Sequence, residues 1–124
     1  MNQVLYDGLP ITPSKIVCVG RNYVEHIQEL NNDVPDQMVL FIKPNSAISP
    51  TLRCYHQEPL HYETELCFMV VDGAFKAASV GLDLTKRQLQ SQLKIKGLPW
   101  ERAKGFDGSA LFSEFVSIPQ ESEK

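Results

Sequence analysis

The sequence predicts a single domain of the α+β class, in which several short β-strands combine with two short helices. Four apolar runs have the length and composition of strands, at residues 15–20, 38–44, 60–71 and 110–116. Two stretches carry helix start and stop signals, at residues 22–30 and 85–97. A chain of 124 residues with 43% hydrophobic and 22% charged residues is sufficient for one hydrophobic core.

Charge and composition exclude several classes of function. The net charge is -3, and no cluster of basic and aromatic residues indicates a nucleic-acid partner. Residues 1–8 lack the features of a signal peptide, and no apolar run approaches the roughly 20 residues that span a bilayer. The expected location is the cytoplasm, without membrane association. No glycine-rich phosphate loop or nucleophile elbow is present.

The three cysteines do not indicate a disulfide framework or a zinc site. Cys18, Cys54 and Cys67 are odd in number, far apart and without a CxxC pair. Cys18 and Cys67 lie within apolar runs, which is typical of small core residues. We therefore expect neither to be a nucleophile.

Residues 60–71 contain the first candidate site. The run begins in alternation, which predicts a strand with His61, Glu63 and Glu65 on one face. The two carboxylates would lie roughly 6 to 7 Å apart along the strand and would repel each other if poorly solvated. Oxygen ligands at this spacing suit Mg2+ or Mn2+ before Zn2+. The alternative is a solvated strand face that carries acids.

A third carboxylate precedes the second helix. Thr85 and Gln88 fit a capping box, and Gly97 is a typical helix stop. If Thr85 caps the helix, Asp83 lies outside it and is free to bind a ligand.

A histidine and a glutamate share one face of the first helix, residues 22–30. Asn22 is a suitable N-cap and Glu25 completes the capping box, so His26 and Glu29 are three residues apart within the helix. A carboxylate beside an imidazole raises its basicity, as a general base requires. A surface His and Glu pair is the alternative.

Two lysines are further candidates. Lys43 ends a predicted strand just before Pro44 and could face a cleft, although a solvated strand terminus is the alternative. Lys104 lies between Ala103 and Gly105, small residues that would allow a ligand to approach closely.

The remaining segments carry weaker signals. Asp72 and Gly73 predict a tight hairpin, and residues 1–14 have turn signals that fit a short edge hairpin or a loose lead-in. Residues 74–81 are ambiguous, and residues 101–109 are predicted as a glycine-punctuated loop.

Several of these motifs occur together, in one order. They are residues 17–23 followed by His26 and Glu29, then residues 40–44, 61–66, 83–85, 96–100 and 103–104. In this order the sequence resembles the fumarylacetoacetate hydrolase family, of the acylpyruvate hydrolase or 2-hydroxyhepta-2,4-diene-1,7-dioate isomerase type. The resemblance extends from Lys15 to Val116.

The resemblance implies a fold, a partner and an activity. The fold is a mixed β-roll or sandwich with short flanking helices, usually as a homodimer. The activity is divalent-metal-dependent hydrolysis of a C–C bond in acylpyruvate-like 2-oxo acids, through a metal-held enolate. The alternatives are isomerisation or decarboxylation of 2-oxo or 2-hydroxy-diene dioates in aromatic catabolism, and a non-catalytic truncated domain that binds metal or a partner chain.

The resemblance also implies a role for each candidate residue. Mg2+ or Mn2+ would be held by Glu63, Glu65 and Asp83. His26 and Glu29 would form the acid/base dyad, and Lys104 would balance negative charge. Arg21 and Lys43 would contact the substrate or a loop.

The sequence departs from the family pattern at its end. The family domain normally continues into further strands and a Thr-Gly-Thr-Pro-type loop, which do not occur before Lys124. We therefore expect residues 1–124 to form one catalytic domain of this type, as its N-terminal portion, with the fold incomplete at the C-terminus.

Overall fold

The computed structural model describes residues 1–20 and 38–119. The strands are β1 (Val4–Tyr6), β2 (Leu9–Ile11), β3 (Lys15–Gly20), β4 (Val39–Pro44), β5 (Thr64–Val71), β6 (Ala74–Asp83), β7 (Ala110–Phe112) and β8 (Val116–Ser117). The helices are α1 (Arg87–Lys96), α2 (Glu101–Lys104) and a single 3-10 turn, Asn45–Ala47. The α+β class is confirmed. Within these residues no helix has the length and apolar character to cross a membrane.

Within residues 1–20 and 38–119, the strands form three sheets of antiparallel neighbours. β1 pairs with β2 and β3 pairs with β4, while β5, β6 and β7 form a larger sheet that β8 joins beside β6. Both tight hairpins turn at an Asp-Gly pair with positive φ at both residues, 48° and 80° at Asp7 and Gly8, and 50° and 78° at Asp72 and Gly73. This conformation matches the twist of antiparallel strands and confirms both predicted hairpins.

Strand β6 includes residues 74–81, for which the sequence pattern made no clear prediction. Its buried residues alternate with exposed ones, but Ala77, Ser79 and Gly81 are small rather than strongly apolar. A Cβ at Gly81 would lie 2.7 Å from Cys67 Sγ, so the facing strand requires glycine there. The buried positions of β6 are distinguished by small side chains and not by apolar ones. A search for hydrophobic alternation therefore does not detect this strand.

Helix α1 ends as predicted and begins differently. Gly97 has a φ of 66° at the C-terminus, and Leu93 is buried beneath the helix. The prediction that Thr85 caps the helix is wrong, because α1 begins at Arg87. Instead, the backbone N–H groups of Gln88 and Leu89 donate to the Glu58 carboxylate at 3.0 and 3.2 Å.

Other predicted boundaries differ from the observed ones. Strand β5 begins at Thr64 rather than at residue 60, and the predicted strand 110–116 divides into β7 and β8. The predicted loop 101–109 contains the short helix α2. The predicted helix 22–30 lies outside the described residues.

The hydrophobic core lies against the inner face of the β5–β6 pair. Its buried members come from β1, the 3-10 turn, β6, β7 and the segment before β8, and they are Val4, Ala47, Ile48, Ala77, Ala110 and Phe115. The open end of the β5–β6 hairpin extends beyond this cluster and carries polar side chains.

Candidate active site

Three carboxylates meet at the open end of the β5–β6 hairpin. Glu63 and Asp83 lie opposite each other, since their backbones exchange two hydrogen bonds of 3.1 and 2.8 Å. Glu65 is two residues further along and shares the face of Glu63. One oxygen from each carboxylate lies within 4.8 Å of the others. The structure therefore brings together the three acids selected from the sequence, and their role as metal ligands stays a prediction.

Two buried lysines hold Asp83 from opposite sides. Lys43 Nζ lies 2.8 Å from Asp83 Oδ1, and Lys104 Nζ lies 2.9 Å from Asp83 Oδ2. Each lysine is 1% exposed. Charged groups are rarely buried so completely unless they are paired, so these contacts account for the burial. The alternative of Lys43 as a solvated strand terminus is wrong.

Lys43 is enclosed by the backbone. Its ammonium donates to the carbonyl oxygens of Leu84 at 3.2 Å and Ser109 at 3.0 Å, and also to that of Lys104. Burial lowers the pKa of Lys43, and the neighbouring Asp83 opposes that shift. Four oxygens, three from carbonyls and one from a carboxylate, surround this amine, and they suit a protonated amine with its three N–H donors better than a neutral amine with two. Lys43 thus ties β4 to three later segments, and its predicted contact with a substrate stays a prediction.

Lys104 faces the carboxylate cluster. Its ammonium donates to Thr85 Oγ1 at 2.8 Å and lies 3.5 Å from Glu63 Oε2. The small neighbours have a packing role, because Ala103 is fully buried and a Cβ at Gly105 would lie 3.2 Å from Pro44 Cδ. They allow α2 to press against the end of β4 and bring Lys104 to the acids.

Arg87 is a site residue that sequence reasoning missed. Its guanidinium donates through Nη2 to Glu63 Oε2 and through Nη1 to the buried Gln90 Oε1 at 2.6 Å. The first turn of α1 therefore lies against the cluster. The only signal in the sequence was the spacing of Arg87 and Gln90 within the predicted helix.

Opposite charges determine the ionisation of Glu63. Burial by itself raises the pKa of this carboxyl, but the charges of Lys104 and Arg87 and the hydrogen bond from Arg87 outweigh burial. The pKa of Glu63 consequently lies below its ordinary value, and the carboxylate is ionised at neutral pH.

Thr85 has a different role from the predicted one. Its hydroxyl accepts from Lys104 and donates to the backbone oxygen of Asp83 at 3.3 Å. It therefore fixes the position of Lys104 instead of capping α1.

Three predicted site residues cannot be placed. His26, Glu29 and Arg21 lie within residues 21–37, outside the described part of the chain. The acid/base dyad and the arginine contact stay predictions.

Burial disfavours the thiolate form of two cysteines, Cys18 and Cys67. Cys18 and Cys67 are half-buried, and burial raises their pKa values to about 12 and about 11. A thiol with such a pKa is almost entirely protonated at neutral pH.

The donor set suits a hard divalent cation. All three side chains offer carboxylate oxygens, the ligands that Mg2+ and Mn2+ prefer. At bond lengths of about 2.1 Å, oxygens around one octahedral ion are about 3 to 4.2 Å apart. The three oxygens lie within 4.8 Å of one another, close to the upper end of that range.

Known proteins match the chain in sequence. The profile of the fumarylacetoacetate (FAA) hydrolase C-terminal domain matches residues 15–124. The Escherichia coli protein named oxaloacetate tautomerase YcgM is 39% identical over 123 residues, which cover 83% of this chain and 54% of that protein. The chain thus spans little more than half the length of this relative.

Solved structures match it in fold. A fumarylacetoacetate isomerase/hydrolase-type protein from Oleispira antarctica is 39% identical with a TM-score of 0.87, over 99% of this chain and 62% of that chain. The fumarylpyruvate hydrolase of Pseudomonas aeruginosa, solved with Mn2+ and pyruvate, is 30% identical with a TM-score of 0.81, over the same shares of the two chains. These matches confirm the type of fold that the resemblance implied.

Proposed function

Because the chain belongs to the fumarylacetoacetate hydrolase family, we propose that it carries the site of a divalent-metal-dependent enzyme acting on a 2-oxo dicarboxylate. The reaction that the comparisons favour is interconversion of the keto and enol forms of a compound such as oxaloacetate, since a relative 39% identical is named for it. The observation that carries the proposal is the convergence of Glu63, Glu65 and Asp83 within 4.8 Å beside a buried lysine.

The three carboxylates hold the ion in this proposal. Mg2+ or Mn2+ bound there would polarise the carbonyl of the 2-oxo acid and acidify the adjacent C–H bond. Lys43 fixes one side of Asp83, leaving the carboxylate little freedom to turn away from Glu63.

Lys104 supplies positive charge beside the reacting group. Its ammonium donates to Asp83 Oδ2 at 2.9 Å and to Thr85 Oγ1 at 2.8 Å, which places it at the carboxylate cluster. A cation at this position would stabilise the negative charge that develops on the substrate oxygen.

Tautomerisation moves one proton between carbon and oxygen. The proposed carrier is the His26 imidazole, made more basic by Glu29. Arg21 is a proposed contact for a substrate carboxylate, which a guanidinium can bind through two hydrogen bonds.

Hydrolysis of a C–C bond in an acylpyruvate is the second candidate. It is favoured by the likeness to the Pseudomonas fumarylpyruvate hydrolase, with a TM-score of 0.81. The same site would activate water instead of only moving a proton. Isomerisation or decarboxylation of related dioates, a homodimeric assembly and a cytoplasmic location also belong to the proposal.

The test is turnover by metal-stripped and reloaded protein. The ultraviolet absorbance of the oxaloacetate enol measures its decay. We expect this decay to be faster with the protein and Mn2+ or Mg2+ than with the metal ion alone. EDTA should abolish the effect, and Glu65→Gln should lower it by at least about 100-fold. Glu114→Gln, a change of the same kind at an exposed position, should leave it unchanged.

An acylpyruvate assayed in parallel separates the two candidates. Metal-dependent cleavage of the acylpyruvate without acceleration of enol decay would favour the hydrolase. Absence of metal-dependent turnover on both substrates would contradict the proposal.

A further inference from the structure

We propose that Lys104 competes with the divalent ion for Asp83 and Glu63, so that the ion and a dianionic 2-oxo acid bind cooperatively. The inference rests on the proposed function and specifies the charge of the ligand that the same site accepts.

The first support is the charge that an ion would add. The cluster contains three acids, Glu63, Glu65 and Asp83. Among the described residues, three cations, Lys43, Lys104 and Arg87, already contact two of these acids, Glu63 and Asp83. A divalent ion entering alone would add two positive charges beside these cations in a partly buried place, which is unfavourable. A ligand with two negative charges would offset the charge of the ion.

The second support is the position of Lys104. Its ammonium lies 2.9 Å from Asp83 Oδ2 and 3.5 Å from Glu63 Oε2, between two of the three proposed metal ligands. An ion bound by both carboxylates would lie close to this ammonium and would repel it. Lys104 is thus a local competitor for the carboxylates.

Lys43 differs in this respect. It contacts Asp83 through the other oxygen, Oδ1, and its remaining donors are taken by backbone carbonyls. Lys104 contacts both Asp83 and Glu63, so we assign the competition to Lys104.

The third support is the chemistry of the ligand. A 2-oxo acid with a second carboxylate brings two negative charges and a chelating pair of oxygens. Lys104 can then pair with the ligand instead of with Asp83 and Glu63, which frees oxygens for the ion. A monoanion compensates only half of the added charge, so it should couple to the ion more weakly.

The experiment measures Mn2+ affinity of the purified protein by electron paramagnetic resonance, without turnover. Lys104→Gln removes the charge and keeps a polar end, and Asp83 retains Lys43 as its partner. We expect this variant to bind Mn2+ alone at least about fivefold more tightly than the unmodified protein. Lys104→Arg, which retains the charge, should not gain affinity. Lys76→Gln, which removes a charge at an exposed position, should also leave it unchanged.

The unmodified protein provides a second measurement that does not depend on a variant folding. Oxalate is an unreactive dianion that chelates a metal through two carboxylate oxygens, and pyruvate, which chelates through a carboxylate and a carbonyl oxygen, is the monoanionic comparison. After correction for complexes formed in solution, oxalate should tighten Mn2+ binding at least about tenfold and pyruvate less than about threefold. The gain with oxalate should shrink in Lys104→Gln.

The outcomes separate the inference from the proposed function. If Mn2+ binds but a natively folded Lys104→Gln protein binds it equally or more weakly, competition by Lys104 is excluded while the metal site stands. An equal response to oxalate and pyruvate would likewise refute the stronger coupling expected for a dianion. If no Mn2+ binds even with oxalate, the proposed function itself fails, and the inference with it.

Discussion

The two faces of the β5–β6 hairpin carry opposite kinds of residue. The outer face exposes large apolar side chains between 47% and 63%, namely Leu66, Phe68, Val70, Phe75 and Val80. The inner face is made of small residues along β6 and ends in the buried carboxylate of Asp83. Within the same two strands, a charge is therefore buried while aromatic and aliphatic groups are exposed.

This contrast shows where the hairpin derives its stability. A buried carboxylate is tolerated because Lys43 and Lys104 pair with it from both sides. The exposed apolar side chains contribute little to stability. Within the described part of the chain, about half of each one remains in contact with water. The site end should consequently be sensitive to single changes, and the outer face tolerant.

The largest effect is expected for Lys43→Met. Three backbone carbonyls would lose their donor and Asp83 one of its two cations, in a place where water does not replace them. We expect the free energy of unfolding to fall by about 3 to 5 kcal/mol. Urea denaturation followed by circular dichroism measures the loss.

The control for this change is Lys76→Met on the exposed end of the hairpin. It should alter the free energy of unfolding by less than about 0.5 kcal/mol. Equal losses for the two lysine variants would show that the buried ion pairs do not distinguish the site end from the rest of the hairpin.

A smaller effect should separate the two faces at adjacent residues. Ala77 is fully buried on the inner face, and Ala78 lies on the outer face opposite Phe68. Ala77→Val should cost about 1 to 3 kcal/mol because the core has no space for two more methyl groups. Ala78→Val should be within about 0.5 kcal/mol of the unmodified protein, since valine favours strands and the position is less enclosed.

Thermal and urea denaturation of the two alanine variants test this expectation. Comparable losses at residues 77 and 78 would mean that the outer face is packed as tightly as the inner face.

Local signals in the sequence predicted much of the fold. The Asp-Gly turns, the strand β3 and the stop of α1 at Gly97 depend on backbone preferences of a few neighbouring residues. Strand β6 was not assigned, because its inner face is set by the size of residues on the partner strand. The shortened start of α1 depends on Glu58, a cap from a distant loop.

The candidate site likewise combines residues that local sequence places with contacts that depend on tertiary packing. The convergence of Glu63 and Glu65 follows from the period of a strand, and Asp83 joins them through the pairing of β5 with β6. The contacts of Arg87 and Thr85 could not be inferred, because they depend on how α1 and α2 pack against the sheet. The sequence identified the acids, and tertiary packing determines which cations accompany them.

Metal titration shows whether Glu63, Glu65 and Asp83 bind one cation together, as proposed. Titration with Mn2+ should detect one ion per chain in the unmodified protein, and Glu65→Gln should weaken its binding at least about tenfold. Glu114→Gln should bind as the unmodified protein does. Equally tight binding of Mn2+ in Glu65→Gln would show that the three carboxylates do not form the proposed metal site.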